Sequence, residues 1–414
     1  MVTHPPHDRL LMGSPLRRPG ASKATCAALA VVLAIATIVN LAVLTGLGPD
    51  VLSVFDRALA RSTVLAIVPL SLLWFLDRRE RESPLLFASA FLWGGCIATG
   101  LALPFNTAFL HFADVWVREH PQLGQVLGPD AALLLAAPIS APIVEEISKA
   151  LGVALIFWLL RAEFDNMRDG IVYGGLVGLG FNWFEAALYV GQGYAEYGVA
   201  PYGAELGARY ALFGFGGHAL FTALFGAFLG LGLQTRHIWL RYLAPPTGLV
   251  LAIAAHMLNN ALPLFLALAG AAEGLPSPAH EPPPSVSFLQ AFWGGTLLHL
   301  TLHLPFLLIM AIAVWRSGVW ERKVIREELA DETAPNGAVT PREYRDIVAD
   351  RIFRTRRIQM MRPHASAALV NAQNELAFRK RRLKDHGLDP DGDPLIAAWR
   401  IEITRLRKLP EIVA

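Results

Sequence analysis

Two adjacent glutamates and a lysine stand inside an apolar run, Pro142-Ile-Val-Glu145-Glu146-Ile-Ser-Lys149. On a helix, residues three and four apart share a face, so Lys149 can neutralise a carboxylate of Glu145 or Glu146. Adjacent residues point roughly 100° apart on a helix. The two glutamates are therefore expected to do different jobs, one facing a site and the other paired with Lys149 or bonded to a neighbouring helix. Glu185 closes Phe181-Asn-Trp-Phe-Glu185 and has no basic residue within a turn, so its partner must come from another helix. His218 follows Phe215-Gly-Gly, and glycines there permit close helix approach. His256 and Asn260 are four residues apart and share a face, while Asn259 points elsewhere. Carboxylates and neutral imidazoles are the oxygen and nitrogen ligands of zinc, and a catalytic zinc keeps about three protein ligands and one open position. Glu146, His218 and His256 are the expected metal set. Without a metal, a glutamate can activate water and His256 with Asn260 can steady an oxyanion. Either chemistry suits peptide hydrolysis. Glu145, Glu146, Glu185, His256 and Asn260 are the catalytic candidates, with Lys149 and His218 in support.

The elements that must position these groups are membrane spans. Of 414 residues, 54% are hydrophobic and 17% charged, against about 45–50% and about 25% in soluble domains. The apolar residues fall into long runs, and a spanning helix needs about 20 of them. Segments 26–47, 62–76, 85–110, 132–160, 169–191, 210–234, 247–271 and 291–315 qualify or come close, giving an all-α, polytopic bundle of about eight spans. The second run is short and can recruit Val54 to Leu59. The fourth is long, with kinks expected at Pro138 and Pro142. Counting along the runs puts Glu145, Glu146, Glu185, His218, His256 and Asn260 at middle to outer depth on four consecutive spans. Ionisable groups at such depth are expensive and mark function.

A basic leader with Arg9, Arg17, Arg18 and Lys23 precedes the first run, which is too long for a signal peptide and is read as an uncleaved span. Three parts follow: a leader over 1–25, a transmembrane bundle over 26–316 and a charged, helical tail over 317–414. Basic residues are concentrated in one set of loops (Arg78, Arg79 and Arg81; Arg161 and Arg168; Arg236 and Arg241) and in the tail. The opposite loops hold only Arg57, Arg61, Arg118 and Arg209. By the positive-inside rule, both termini are cytoplasmic. A net charge of +2 gives no field pointing to nucleic acid.

The tail has its own signals. Thr340-Pro341-Arg342-Glu343 reads as a capping box with proline at the first helical position. Arg379-Lys380-Arg381-Arg382 reads as a solvated helical face, or as a contact with anionic lipid headgroups. Asp389, Asp391 and Asp393 alternate as in a calcium loop but lack its downstream glutamate. His299 and His303 lack the carboxylate of an HExxH motif and are expected to be structural or pore-lining. His111 and His120 receive no role. Cys26 and Cys96 have no ligand spacing and are expected to be packing residues.

The order of the motifs, Glu145-Glu146-Ile-Ser-Lys149, Phe181-Asn-Trp-Phe-Glu185, His218-Ala-Leu-Phe-Thr222 and His256-Met-Leu-Asn-Asn260, resembles the PrsW family of intramembrane proteases. That family belongs to a wider superfamily with the type II CAAX prenyl proteases. Phe164 to Gly174 is similar to the family's connection between the first two motifs. The resemblance spans roughly 65–315 and stops before the tail. It implies a membrane endopeptidase described as a metalloprotease, similar in role to enzymes that cut membrane-anchored anti-sigma factors. Its substrate would be a membrane-anchored protein, its setting the lipid bilayer of a bacterial plasma membrane, and its metal, where one is bound, zinc. In the CAAX relatives the second motif ends in histidine, so Glu185 favours the PrsW branch. Thr222 and Asn260 stand where the family can place an aspartate, which leaves glutamate-plus-water catalysis open. Buried Glu, Lys and His groups also suit an ion- or proton-coupled transporter, although no internal repeat of the transporter kind is present. A non-catalytic membrane regulator is the remaining alternative.

Overall fold

The computed structural model describes residues 31, 34–38, 40, 42, 46, 48–79, 84–159, 164, 166–273, 285–335, 337–349, 363–385 and 387–408. The described residues form helices and turns, with one isolated bridge between Thr333 and Val339. Helix α1 is Pro49–Leu76, and α2, Pro84–Leu92, runs through a π turn, Trp93–Ala98, into α3, Thr99–Glu119. Short helices α4, Pro121–Leu127, and α5, Ala131–Ala136, lead to α6, Ser140–Leu159. Helices α7, Met167–Tyr197, and α8, Tyr202–Arg209, precede a 3-10 turn at Ala211–Gly214. Then come α9, His218–Gln234, α10, Ile238–Ala272, α11, Phe288–Leu302, and α12, Leu304–Ala330. Helices α13, Pro341–Val348, α14, Pro363–Asp385, and α15, Pro394–Arg407, form the tail.

Among the described residues, 6 helices are long and apolar enough to cross a membrane: Pro49–Leu76, Leu86–Glu119, Met167–Tyr197, Ala211–Gln234, Ile238–Ala272 and Leu304–Ala330. The eight expected runs differ from these in identifiable ways. Run 26–47 lies largely outside the described residues, as does the proline-rich loop around 274–284. Run 62–76 does recruit the preceding turns, back to Pro49. Run 132–160 is not one kinked helix. It breaks into a turn at Ala137–Ile139, around Pro138. Pro142 falls in the first turn of α6, where its missing N–H has no intrahelical partner to lose. Glu145, Glu146 and Lys149 keep α6 itself out of the apolar set. Run 291–315 stops at His303, and Pro305 opens α12.

Helix α7 is the axis of the bundle, and nearly every residue from Met167 to Val190 is buried. Its start is set by Asn166, whose side chain accepts from the Arg168 N–H at 2.7 Å while the Asp169 carboxylate accepts from the Asn166 N–H at 3.1 Å. This capping box closes two donors that the first turn leaves open. Gly170, Gly174 and Gly178 form one stripe. A Cβ at each would run into the backbone of Gly226, Thr222 and His218 on α9. Bare backbones thus bring α7 and α9 into contact, as in membrane helix pairs generally, and Tyr173, Leu176, Phe221 and Leu224 fill the core beside them.

The tail is folded around its own core of Val324, Leu329, Leu369, Leu376, Phe378, Ile396 and Ile403. The capping box at Thr340 and Glu343 is present. The basic run is neither a free face nor a free lipid contact. Arg379 pairs with Asp393 at 2.6 Å, buried Lys380 with Glu332 at 2.8 Å and Arg381 with Asp385 at 2.9 Å. Asp389 and Asp393 cap the segments that follow them, and Asp391 pairs with Arg400. Where α12 leaves the bundle, buried Glu321 receives Arg79 at 2.7 Å and Arg168 at 3.1 Å. Asn374 of α14 donates to the Arg79 carbonyl at 2.9 Å. The tail is therefore fastened to the ends of α1 and α7.

Burial alone would raise the Glu332 carboxyl, but hydrogen bonds from Arg400 and Lys380 outweigh it and hold the group below the usual range. A depressed carboxylate contributes stability that is present above its unfolded pKa and is lost as pH falls through the folded value. Glu332→Gln should leave buried Lys380 uncompensated and cost about 3–5 kcal/mol, the range for breaking a buried ion pair. Limited proteolysis of the tail in detergent, followed against pH, should show faster cleavage of the variant at neutral pH and a weaker acid dependence than wild type. Equal cleavage at neutral pH would contradict the account.

Candidate functional site

The four helices that carry the sequence motifs converge on one buried cluster. Helix α6 supplies Glu145, Glu146 and Lys149, α7 supplies Glu185, α9 supplies His218 at its first residue, and α10 supplies His256 and Asn260. All but Asn260 are buried. Lys149 Nζ reaches both neighbouring carboxylates, Glu146 Oε1 at 2.8 Å and Glu145 Oε2 at 3.3 Å. The expectation that only one glutamate pairs with Lys149 is corrected here, because a long flexible side chain bridges the two helical directions.

The two glutamates nevertheless have different surroundings. Glu146 accepts from Thr222 Oγ1 at 3.0 Å and meets His256 Nδ1 at 3.1 Å. Glu145 accepts from the Asn106 amide at 3.1 Å through Oε1. Its Oε2 lies 3.9 Å from His218 Nδ1 and 3.9 Å from His256 Nε2. On the other side of His218, Nε2 meets Glu185 Oε2 at 2.7 Å, and Arg209 of α8 holds that same oxygen at 2.6 Å.

These contacts fix the imidazole tautomers. A carboxylate accepts only, so His256 gives its Nδ1–H to Glu146 and His218 gives its Nε2–H to Glu185. The remaining nitrogens, His256 Nε2 and His218 Nδ1, carry lone pairs on the side of Glu145 Oε2. Ligand atoms of Glu145, His218 and His256 lie within 4.8 Å of one another. One carboxylate and two imidazoles, each imidazole oriented by a carboxylate behind it, match the donor set and the outer support of zinc sites. The donors therefore fit a metal. The carboxylate among them is Glu145, whereas the sequence expectation placed Glu146 there; Glu146 lies behind His256 instead. Asn260 donates to the Ala137 carbonyl at 3.2 Å and lies 3.3 Å from His256 Nε2. The shared face of His256 and Asn260 thus opens onto the turn between α5 and α6.

Sequence reasoning missed Asn106, Ser140 and Arg209 as site residues. Asn106 sits in an expected apolar span and is itself held by Ser140 Oγ at 2.8 Å. An amide among apolar residues was the available signal. Arg209 had been counted only as a loop charge. His299 and His303 stack outside the centre, with His303 Nδ1 at 2.9 Å from the Gly216 carbonyl, so they brace the turn before His218. His111 and His120 lie away from the cluster on α3 and its end, and Cys96 is free within the π turn. Cys26 lies outside the described residues.

Fold and site together define a multi-pass membrane protein with a carboxylate–imidazole centre buried in its helices. Residues 82–279 match the family described as PrsW family intramembrane metalloprotease, and this part of the chain is similar to that family. The match runs from the start of α2 through α10 and includes every motif residue of the centre. The match supports an intramembrane protease, a hydrolase. Comparison with curated proteins and with solved structures gives no significant match.

Outer partners of metal-bound histidines are worth about 10–100-fold in metal affinity or activity. Where a metal is held at this centre, Glu185→Gln should therefore lower its affinity about 10-fold or more, since the neutral amide can no longer fix the His218 tautomer. A chelator competition titration on the purified protein measures this, and unchanged affinity would remove Glu185 from the site.

Proposed function

We propose that the chain is an intramembrane endopeptidase that hydrolyses peptide bonds of membrane-anchored proteins at the Glu145–His218–His256 centre. The observation that carries this reading is the convergence of Glu145 Oε2, His218 Nδ1 and His256 Nε2, with both imidazole N–H groups turned away onto carboxylates. Three acceptor atoms facing one point require a cation or a hydrogen-bond donor between them. These residues would hold a zinc ion, which when bound lowers the pKa of its water and polarises the scissile carbonyl.

The chain's own groups do the rest. The attacking water gives its proton to the Glu145–Glu146 pair, the carboxylates nearest the converging atoms. Asn106 and Thr222 keep one oxygen of each glutamate engaged, so the free lone pairs are directed rather than wandering. Glu185, held by Arg209, keeps His218 in the tautomer that presents Nδ1. The Asn260 amide, beside His256, would leave the Ala137 carbonyl to donate to the oxygen that becomes negative as the tetrahedral intermediate forms. Apolar packing around the cluster excludes bulk water, which strengthens each of these interactions.

Glu145→Gln and His256→Ala are expected to abolish cleavage of a membrane-anchored reporter while the protein still inserts and accumulates. Asn260→Ala should leave measurable activity reduced about 10²–10³-fold, the scale of losing one oxyanion donor. Metal analysis with a chelator test separates the two chemistries: the zinc reading expects loss of cleavage on chelation and recovery with added zinc. Undiminished proteolysis by both Glu145→Gln and His256→Ala would refute the assignment.

A further inference from the structure

Lys149 occupies a position that its role as a partner for Glu146 does not explain. Its Nζ lies 2.9 Å from His218 Nδ1 as well as 3.3 Å from Glu145 Oε2. Those are two of the three atoms that converge at the centre. An ammonium has donors only, and a neutral imidazole has one acceptor nitrogen with one lone pair. His218 Nε2–H is committed to Glu185, so the acceptor is Nδ1 and Lys149 is using it.

That lone pair serves one cation at a time. Zinc approaches imidazole nitrogen to about 2.0–2.1 Å and carboxylate oxygen to about 2.0–2.2 Å. A nitrogen at 2.9 Å and 3.3 Å from the same two atoms lies in the space such an ion would need. Like charges at that separation also repel strongly in a medium from which water is excluded. The lysine has another place to go. Glu146 Oε1 is 2.8 Å from Nζ, and the Phe181 ring centroid is 3.7 Å away. A carboxylate and an aromatic face both hold an ammonium, and neither belongs to the converging trio.

We propose that Lys149 is a built-in counter-cation that holds Glu145 and His218 in the metal-free chain, and that a divalent cation must displace it onto Glu146 and the Phe181 ring. The inference rests on the centre proposed above. Its consequence is that the chain keeps its buried carboxylates compensated while empty and sets its own metal affinity through a side chain that is not a ligand.

The test compares full-length protein and Lys149→Met, both purified in detergent and stripped of metal. Zinc affinity is read by competition with a chromophoric chelator. The variant is expected to bind at least ten-fold more tightly than wild type; equal or weaker binding overturns the proposal. Should the variant fail to fold without metal, wild-type protein labelled with ¹⁵N at lysine Nζ carries the test. Loading one equivalent of zinc must shift the Lys149 resonance, and an unshifted resonance overturns the proposal. Zinc binding that His256→Ala abolishes but Lys149→Met leaves unaltered removes this inference alone. Absence of zinc binding in wild type and variant alike removes the metal centre and this inference with it.

Discussion

Two carboxylates side by side in an apolar bundle stay charged only if each oxygen is met by a donor or a cation, and the placement of the surrounding helices follows from that demand. Asn106 on α3 meets Glu145 Oε1, Thr222 on α9 meets Glu146 Oε2, and Lys149 on α6 serves the other oxygen of each. His256 on α10 shares Glu146 Oε1. Three helices are thereby pinned to one pair of adjacent residues on a fourth. Buried ion pairs of this kind seldom add net stability over apolar packing. Their presence here is accounted for by the site they compose, since each neutral donor also aims a carboxylate.

A second chain of contacts runs from Arg209 through Glu185 to His218, and it depends on a tight turn. Arg209 and His218 are only nine residues apart in sequence, yet both must reach one carboxylate on α7. The chain between them turns through Leu212 at φ 50°, Phe213 at φ 55° and Gly214 at φ 82°. Two non-glycine residues in the left-handed region cost about 1–2 kcal/mol each. The Leu212 N–H given to Thr296 of α11 at 3.1 Å and the Gly214 N–H given to the Tyr210 carbonyl at 3.0 Å hold the turn in place. His303 adds a bond to Gly216. Irregular backbone in a membrane bundle is tolerated where protein covers it, and here α11 does so. The strain is localised where it folds an arginine back toward the first residue of the histidine helix.

Much of this was legible in the sequence because helix periodicity and hydropathy act locally. The motif order, the shared face of His256 and Asn260, the absence of a local partner for Glu185 and the capping box at Thr340 are all properties of residues within a few turns of each other. What was not legible depends on separate elements meeting. Nothing near Asn106 announces Glu145, thirty-nine residues away, and nothing near Arg209 announces Glu185. The different surroundings of Glu145 and Glu146 turned on which side of α6 each neighbouring helix occupies. The break at Pro138 was legible in position but not in strength, and the one before Pro305 was not read at all: the hydropathy profile runs on uninterrupted at both, because hydropathy carries no information about backbone donors.

The same distinction bears on the proposed orientation. The positive-inside rule counts basic residues near the ends of spans as though each were free to respond to the membrane. Arg79 and Arg168 are buried on Glu321, and Arg209 is committed to Glu185 and Glu205. These three act as structural cations, so they report on packing rather than on topology. Taking them out removes two residues from the basic-rich loops and one from the poorer set. Arg78, Arg81, Arg161, Arg236 and Arg241 with the tail then stand against Arg57, Arg61 and Arg118, and the imbalance keeps its sign. The orientation proposal therefore rests on the remaining loop charges, while Arg79 and Arg168 fasten the tail and Arg209 steadies the site.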